Sequence, residues 1–151
     1  MLLLPLLLLT HMAAAAEAAE GDRTVDPVGQ SENYTAVMYG NTNGLPTSEA
    51  NDIAQTGEGF IWIGCYSGLI RYDGNTFERV DSTSGVSSAV CLHVDSRERL
   101  WIGTNDSGLA LMERGEIRMW NEADGLGSAK ICAIEEDGDG NIYVAPRRAS
   151  R

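Results

Sequence analysis

The chain has 151 residues and carries 22 Asp and Glu against 11 Lys and Arg, a net charge of −11. That length holds one ordinary domain, and that charge excludes the basic surfaces that nucleic acid or anionic lipid demands. Acidity dispersed along the chain in this way describes a solvated surface and not a binding site.

Residues 1–16 are uncharged and include the run Leu2-Leu3-Leu4-Pro5-Leu6-Leu7-Leu8-Leu9, followed by Ala13-Ala14-Ala15-Ala16. The run is well short of the ~20 residues that cross a bilayer. With its Ala-x-Ala end it reads as a signal peptide over 1–19, although a Lys- or Arg-bearing start is missing. Export to the periplasmic or extracellular side follows. Residues 20–33 are acidic, contain Gly21, Pro27 and Gly29, and read as a linker. A strand is expected at 34–39, with Tyr34, Val37 and Met38 partly buried.

From there the sequence repeats. Phe60-Ile61-Trp62-Ile63-Gly64-Cys65-Tyr66-Ser67-Gly68-Leu69 returns as Leu100-Trp101-Ile102-Gly103-Thr104-Asn105-Asp106-Ser107-Gly108-Leu109, and a third copy starts at Asn141-Ile142-Tyr143-Val144. A period of about 40 residues marks a stacked architecture. Alternation of aromatic and aliphatic residues predicts a short strand at Trp62, at Trp101 and at Tyr143. Gly64 and Gly103 suit close backbone approach or a bulge, and Gly68 and Gly108 suit hairpin turns. Strands are expected at 51–55, 69–72 and 77–80, then at 89–94, 109–112 and 117–120, then at 130–135.

Four short strands per repeat match one propeller blade. The fold class is therefore all-β, an incomplete propeller of about two and a half four-stranded antiparallel blades. The repeats span 34–145, with blades at 44–81 and 85–122, a partial one at 125–145 and a short tail at 146–151. Too few blades to close a ring leave strand edges open, so the chain reads as a fragment, a truncated gene product or a piece that assembles with something else.

Catalytic chemistry is hard to find here. His93 is the one histidine beyond the leader, too few for a metal site or a nucleophile-base pair, and no cofactor, metal or catalytic residue is assigned. Asp137-Gly138-Asp139-Gly140-Asn141 starts like a calcium loop, but Ile142 and Arg148 stand where such a loop wants Gly and Glu. A turn capped by its own Asp and Asn is the better reading. Cys65, Cys91 and Cys132 are read as unbridged packing residues, with Cys91 and Cys132 at matching repeat positions. Trp62, Trp101 and Tyr143 are read as core between sheets. Loop residues that differ between repeats are the candidates for ligand binding: Tyr66, Arg71, Asn105, Asp106 and Arg118.

The motifs Gly44-Leu45-Pro46, Gly57-Glu58-Gly59-Phe60-Ile61-Trp62-Ile63-Gly64, Gly68-Leu69 and Tyr72-Asp73, with their echoes at Leu100-Trp101-Ile102-Gly103-Thr104 and Gly125-Leu126, resemble the two-component-regulator propeller repeat. The resemblance implies an extracytoplasmic sensor region that precedes a membrane segment and a histidine kinase or diguanylate cyclase. It also implies glycans or their breakdown products as ligands, and the remaining blades of a parent protein as partners. A propeller enzyme, streptogramin-lyase-like or glycan-active, and a structural protein-interaction propeller are the alternatives.

Overall fold

A computed structural model describes residues 36–147. The leader at 1–19, the linker at 20–33 and the tail positions 148–151 lie outside the described residues.

The first repeat folds on Ile61-Trp62-Ile63. Strand β1 (Asp52–Gln55) pairs antiparallel with β2 (Ile61–Cys65), Asp52 opposite Gly64 and Gln55 opposite Ile61. Tyr66 and Ser67 turn the chain into β3 (Gly68–Tyr72), and Gly68 opens that strand at φ 118°, where a Cβ would be strained. Asp73 then accepts the N–H groups of Asn75 and Thr76 at 2.8 and 2.7 Å, closing the turn into β4 (Phe77–Arg79). These strands form sheet 1 in the order of the sequence.

Sheet 2 repeats the plan with β5 (Ala89–Val94), β6 (Leu100–Thr104), β7 (Leu109–Glu113) and β8 (Glu116–Trp120). Its β6–β7 connection holds Asn105, Asp106 and Ser107 where sheet 1 has Tyr66 and Ser67, so the repeat lengthens by one residue inside this loop. Sheet 3 pairs β9 (Ile131–Glu136) with β10 (Ile142–Pro146). The expected two and a half blades are present as two four-stranded sheets and one two-stranded sheet, all antiparallel.

The core lies between the sheets. Trp62 and Leu69 of sheet 1 meet Leu100, Ile102, Ala110 and Met112 of sheet 2, with Val86 of the connection sealing the layer. On the other face of sheet 2, Leu109, Trp101 and Trp120 pack with Ile131, Ile134 and Val144 of sheet 3. Ile63, Cys65 and Ile70, on the remaining face of sheet 1, are covered by Leu45. A Cβ added to Gly64 would lie 3.3 Å from Ala89 Cβ, and one on Gly103 2.8 Å from Ile131 Cγ2. Close approach, the first of the two uses foreseen for these glycines, is therefore what they provide.

Polar bonds lock the layers, their donors at matching turn positions and their acceptors at different ones. The Gly57 N–H donates to Glu98 Oε2 at 2.6 Å, and the Ser96 N–H donates to Glu136 Oε2 at 2.7 Å. Leu92 N–H donates to Asp52 Oδ2 at 2.8 Å, again from one sheet to the next.

Four expectations need correction. Residues 36–39 form no strand, and Val37 and Met38 are more than half exposed. Tyr39 instead sets its ring edge-on to Phe77, centroids 5.1 Å apart. Tyr143 holds the same register as Trp62 and Trp101, yet is 61% exposed where Trp62 is 9%. Trp62 and Trp101 are each covered by the sheet that follows. Cys132 is exposed, and it does not match Cys91: Cys91 faces Gly103, whereas the residue at that register in sheet 3 is Ala133 opposite Ala145. A bulge between Ala145 and Pro146 displaces Cys132 from the packed face. Pro146, expected in a tail, closes β10.

Candidate functional site

The turn ahead of each repeat aromatic is built around one polar side chain. In sheet 2, Asp95 accepts the N–H groups of Arg97 and Arg99 at 3.0 and 2.9 Å, the Arg99 Nε–H at 2.7 Å and the Trp101 Nε1–H at 2.8 Å. Burial pushes its carboxyl upward, but the Arg99 guanidinium, the indole N–H and the two amides together outweigh that and hold it at about 2. In sheet 1, Thr56 takes this position and accepts Trp62 Nε1–H at 3.3 Å. In sheet 3, Asp137 accepts the Asp139 and Asn141 amides and the Asn141 Nδ2–H, which lower its carboxyl to about 2. The Asp137-Gly138-Asp139-Gly140-Asn141 motif is thus a turn whose first carboxylate serves its own backbone.

Two of these turns, with part of the β7–β8 turn, frame a cleft of about 600 Å³ between sheets 1 and 2. Its apolar floor is Phe60, Trp62, Leu100 and Met112. Arg71 lies opposite Trp62 in β3, pairs with Glu78, and sets its guanidinium 4.6 Å from the Phe60 ring centroid. Arg99 is held by Asp95 and lies 5.4 Å from the Trp101 centroid. Glu98 reaches its bond to Gly57 from a left-handed backbone, φ 60°, and Arg114 takes φ 52° in the β7–β8 turn. Arg97 and Arg114 are exposed on the cleft, and among the described residues no ion pair holds either. An apolar floor with few, well-placed polar groups at its edge is the usual make-up of a small-molecule site.

Only one of the five candidates read from the sequence enters this cleft, and that is Arg71. Arg118 lies in β8 opposite Leu111, exposed, and lines a separate depression of about 400 Å³. Tyr66, 57% exposed, is in the β2–β3 turn. Asn105 and Asp106 are in the matching β6–β7 turn, where the Asn105 N–H donates to Ser88 O and Asp106 accepts the hydroxyls of Ser87 and Ser107. Antiparallel connectivity puts those two turns at the end of the sheets opposite the β1–β2 and β5–β6 turns that line the cleft. The five residues are not brought together. Phe60, Arg97, Glu98 and Arg114 were overlooked; the alternating Arg97-Glu98-Arg99 charges of one turn were the available signal.

His93 lies opposite Trp101, half-buried, and its Nε2 has no hydrogen-bond partner among the described residues. Among those residues no group of three or more His, Cys, Asp or Glu could hold a metal ion.

Residues 44–67, from the Gly44 turn through β1 and β2 to the β2–β3 turn, match the family model described as Two component regulator propeller. The chain carries a two component regulator propeller repeat. That repeat supplies the Trp62 and Gly64 on which sheet 2 is packed. Among solved structures, the extracellular domain of a B. thetaiotaomicron protein described as a hybrid two component system is similar over 73% of this chain, at 24% identity and a TM-score of 0.66. The chain matches only 16% of that structure's length. This likeness shows the shared propeller fold. Among curated proteins none matches this sequence.

Proposed function

We propose that this chain is a ligand-sensing part of an extracytoplasmic signal-transduction receptor, acting by recognition and not by catalysis. The observation that carries the reading is the regulator propeller repeat at 44–67, set in a fold shared with an extracellular two component domain. The cleft between sheets 1 and 2 is the proposed recognition site, and an oligosaccharide is the proposed class of ligand. Aromatic and aliphatic groups on its floor suit the apolar faces of sugar rings. Guanidinium groups at its rim suit their hydroxyls and carboxylates. Localisation on the outer side of the inner membrane belongs to the same proposal, as do the further blades of a parent receptor as partners.

The test is a thermal-shift screen of the chain against neutral and acidic oligosaccharides. A ligand that binds only the folded state raises the melting temperature in proportion to its occupancy. Saturable stabilisation without turnover of the sugar supports the reading. Steady release of product identifies an enzyme instead, and no response to any sugar in the panel removes the glycan assignment.

A further inference from the structure

In sheets 1 and 2 the turn ahead of the repeat tryptophan gives one backbone N–H to the sheet that follows, and the two donors are answered differently. Ser96 donates its N–H to Glu136 Oε2 at 2.7 Å and its hydroxyl to Oε1 at 2.6 Å. Glu136 is a strand residue, opposite Ile142 in sheet 3. Val94, opposite Leu100, stands at that register in sheet 2, and its side chain accepts no hydrogen bond. The Gly57 N–H is taken instead by Glu98, whose carboxylate reaches it from the β5–β6 turn at 2.6 Å.

Two features set the Glu98 contact apart. The turn needs a left-handed residue at this position in every sheet, Gly59 at φ 92° and Gly140 at φ 83°, and only sheet 2 places a side chain there, Glu98 at φ 60°. Glu98 and Arg114 are the two left-handed residues other than glycine among the described residues, and both line the cleft. Backbone of this kind is costly and gathers where ligands are held. The second feature is the space above Gly57. A Cβ there would lie 2.7 Å from Glu98 Oε2 and 2.9 Å from its Cδ, so the carboxylate fills a cradle that a larger residue would close. The exposed guanidinium groups of Arg97 and Arg114 line the same cleft.

We propose that this cradle docks a carboxylate of the ligand, carried by a uronic acid unit of an oligosaccharide, and that Glu98 is a built-in occupant which the ligand displaces. The inference rests on the reading of this cleft as the recognition site. The ligand carboxylate accepts the Gly57 N–H in place of Glu98 and gains the charge of Arg97 and Arg114, while the sugar ring lies on the apolar floor. Glu98 is exposed and hangs on a flexible side chain, so it leaves without moving either sheet. Until it leaves, it lowers the apparent affinity for an acidic sugar in proportion to the time it fills the cradle.

Titration calorimetry of the full chain with oligogalacturonate, and with the same oligomer methyl-esterified, tests this. The parent is expected to prefer the acid. Glu98→Gly suits the left-handed position and Glu98→Ala keeps its strain, yet both empty the cradle. Each should therefore bind the acid at least about fivefold more tightly and the ester as before. Gly57→Ala puts a methyl group into the cradle and should abolish the preference for the acid while the ester still binds. If Glu98 serves only to fasten the sheets, its variants will melt earlier with the affinity for the acid unchanged, and that result overturns the proposal. So does weaker binding of the acid by Glu98→Gly, or a preference for the acid that survives Gly57→Ala. Binding of neither oligomer by the parent or any variant overturns the reading of the cleft as a sugar site, and this inference with it.

Discussion

Ile131 of sheet 3 rests directly on the backbone of Gly103 in sheet 2, where an added Cβ would sit 2.8 Å from its Cγ2 and 2.3 Å from Cys91 Sγ. No rotamer of Ile131 clears a methyl group at that place without moving the strand, because Ile131 Cβ itself is only 3.0 Å away. Gly103→Ala is therefore expected to destabilise the fold by about 3 kcal/mol, an overpacking penalty at the upper end of the usual range. Gly64→Ala, facing Ala89 at 3.3 Å, should be milder. Urea unfolding of both variants gives the order, and equal losses would contradict the contact described.

Asp95 carries the clearest pH signature. Its carboxyl is held at about 2 in the folded chain, below the ordinary 3.8, so the stability it lends is present above pH 4 and is lost as pH falls from about 4 toward 2. Asp95→Asn should flatten that acid limb. It should also destabilise at neutral pH by about 2 kcal/mol, since the half-buried Arg99 loses the charge of its buried partner. Melting temperature against pH, parent beside variant, checks both parts.

Trp62 and Tyr143 share a register but not an environment, and mutation should separate them. Trp62→Ala empties the layer between sheets 1 and 2 and should cost about 4 kcal/mol. In dilute solution Tyr143→Ala should cost less than about 0.5 kcal/mol, as for a surface position. Similar losses in denaturant titrations would mean that Tyr143 is covered.

The rim of the cleft allows a further separation. Arg97→Glu and Arg114→Glu change exposed guanidinium groups that no ion pair holds among the described residues, so the unliganded melting temperature should shift little. Any stabilisation by an acidic oligosaccharide should fall at least several-fold in both. An unchanged response places the ligand elsewhere.

Much of this fold was legible because it depends on local signals. Ile61-Trp62-Ile63 and Trp101-Ile102 announce strands by alternation, and Gly68 and Gly108 mark turns by needing positive φ. What was not legible depends on neighbours. A strand at 34–39 has suitable residues, but residues 36–39 form none, and no short window of sequence shows whether a neighbouring strand will take them up. Tyr143 takes the register of Trp62, while its exposure is set by a different layer. The cleft was missed for the same reason. It joins Phe60 and Arg71 of one repeat to Arg97, Leu100 and Arg114 of the next, and each of those residues looks ordinary within its own turn.

Among the described residues, sheet 2 is packed on both faces, by sheet 1 on one side and by sheet 3 on the other. Amide deuteration should therefore proceed inward from both ends, with β9 and β10 labelling early and β6 and β7 holding their protons longest. Within the described residues, the interior pair of strands should then be the last cooperative unit to open.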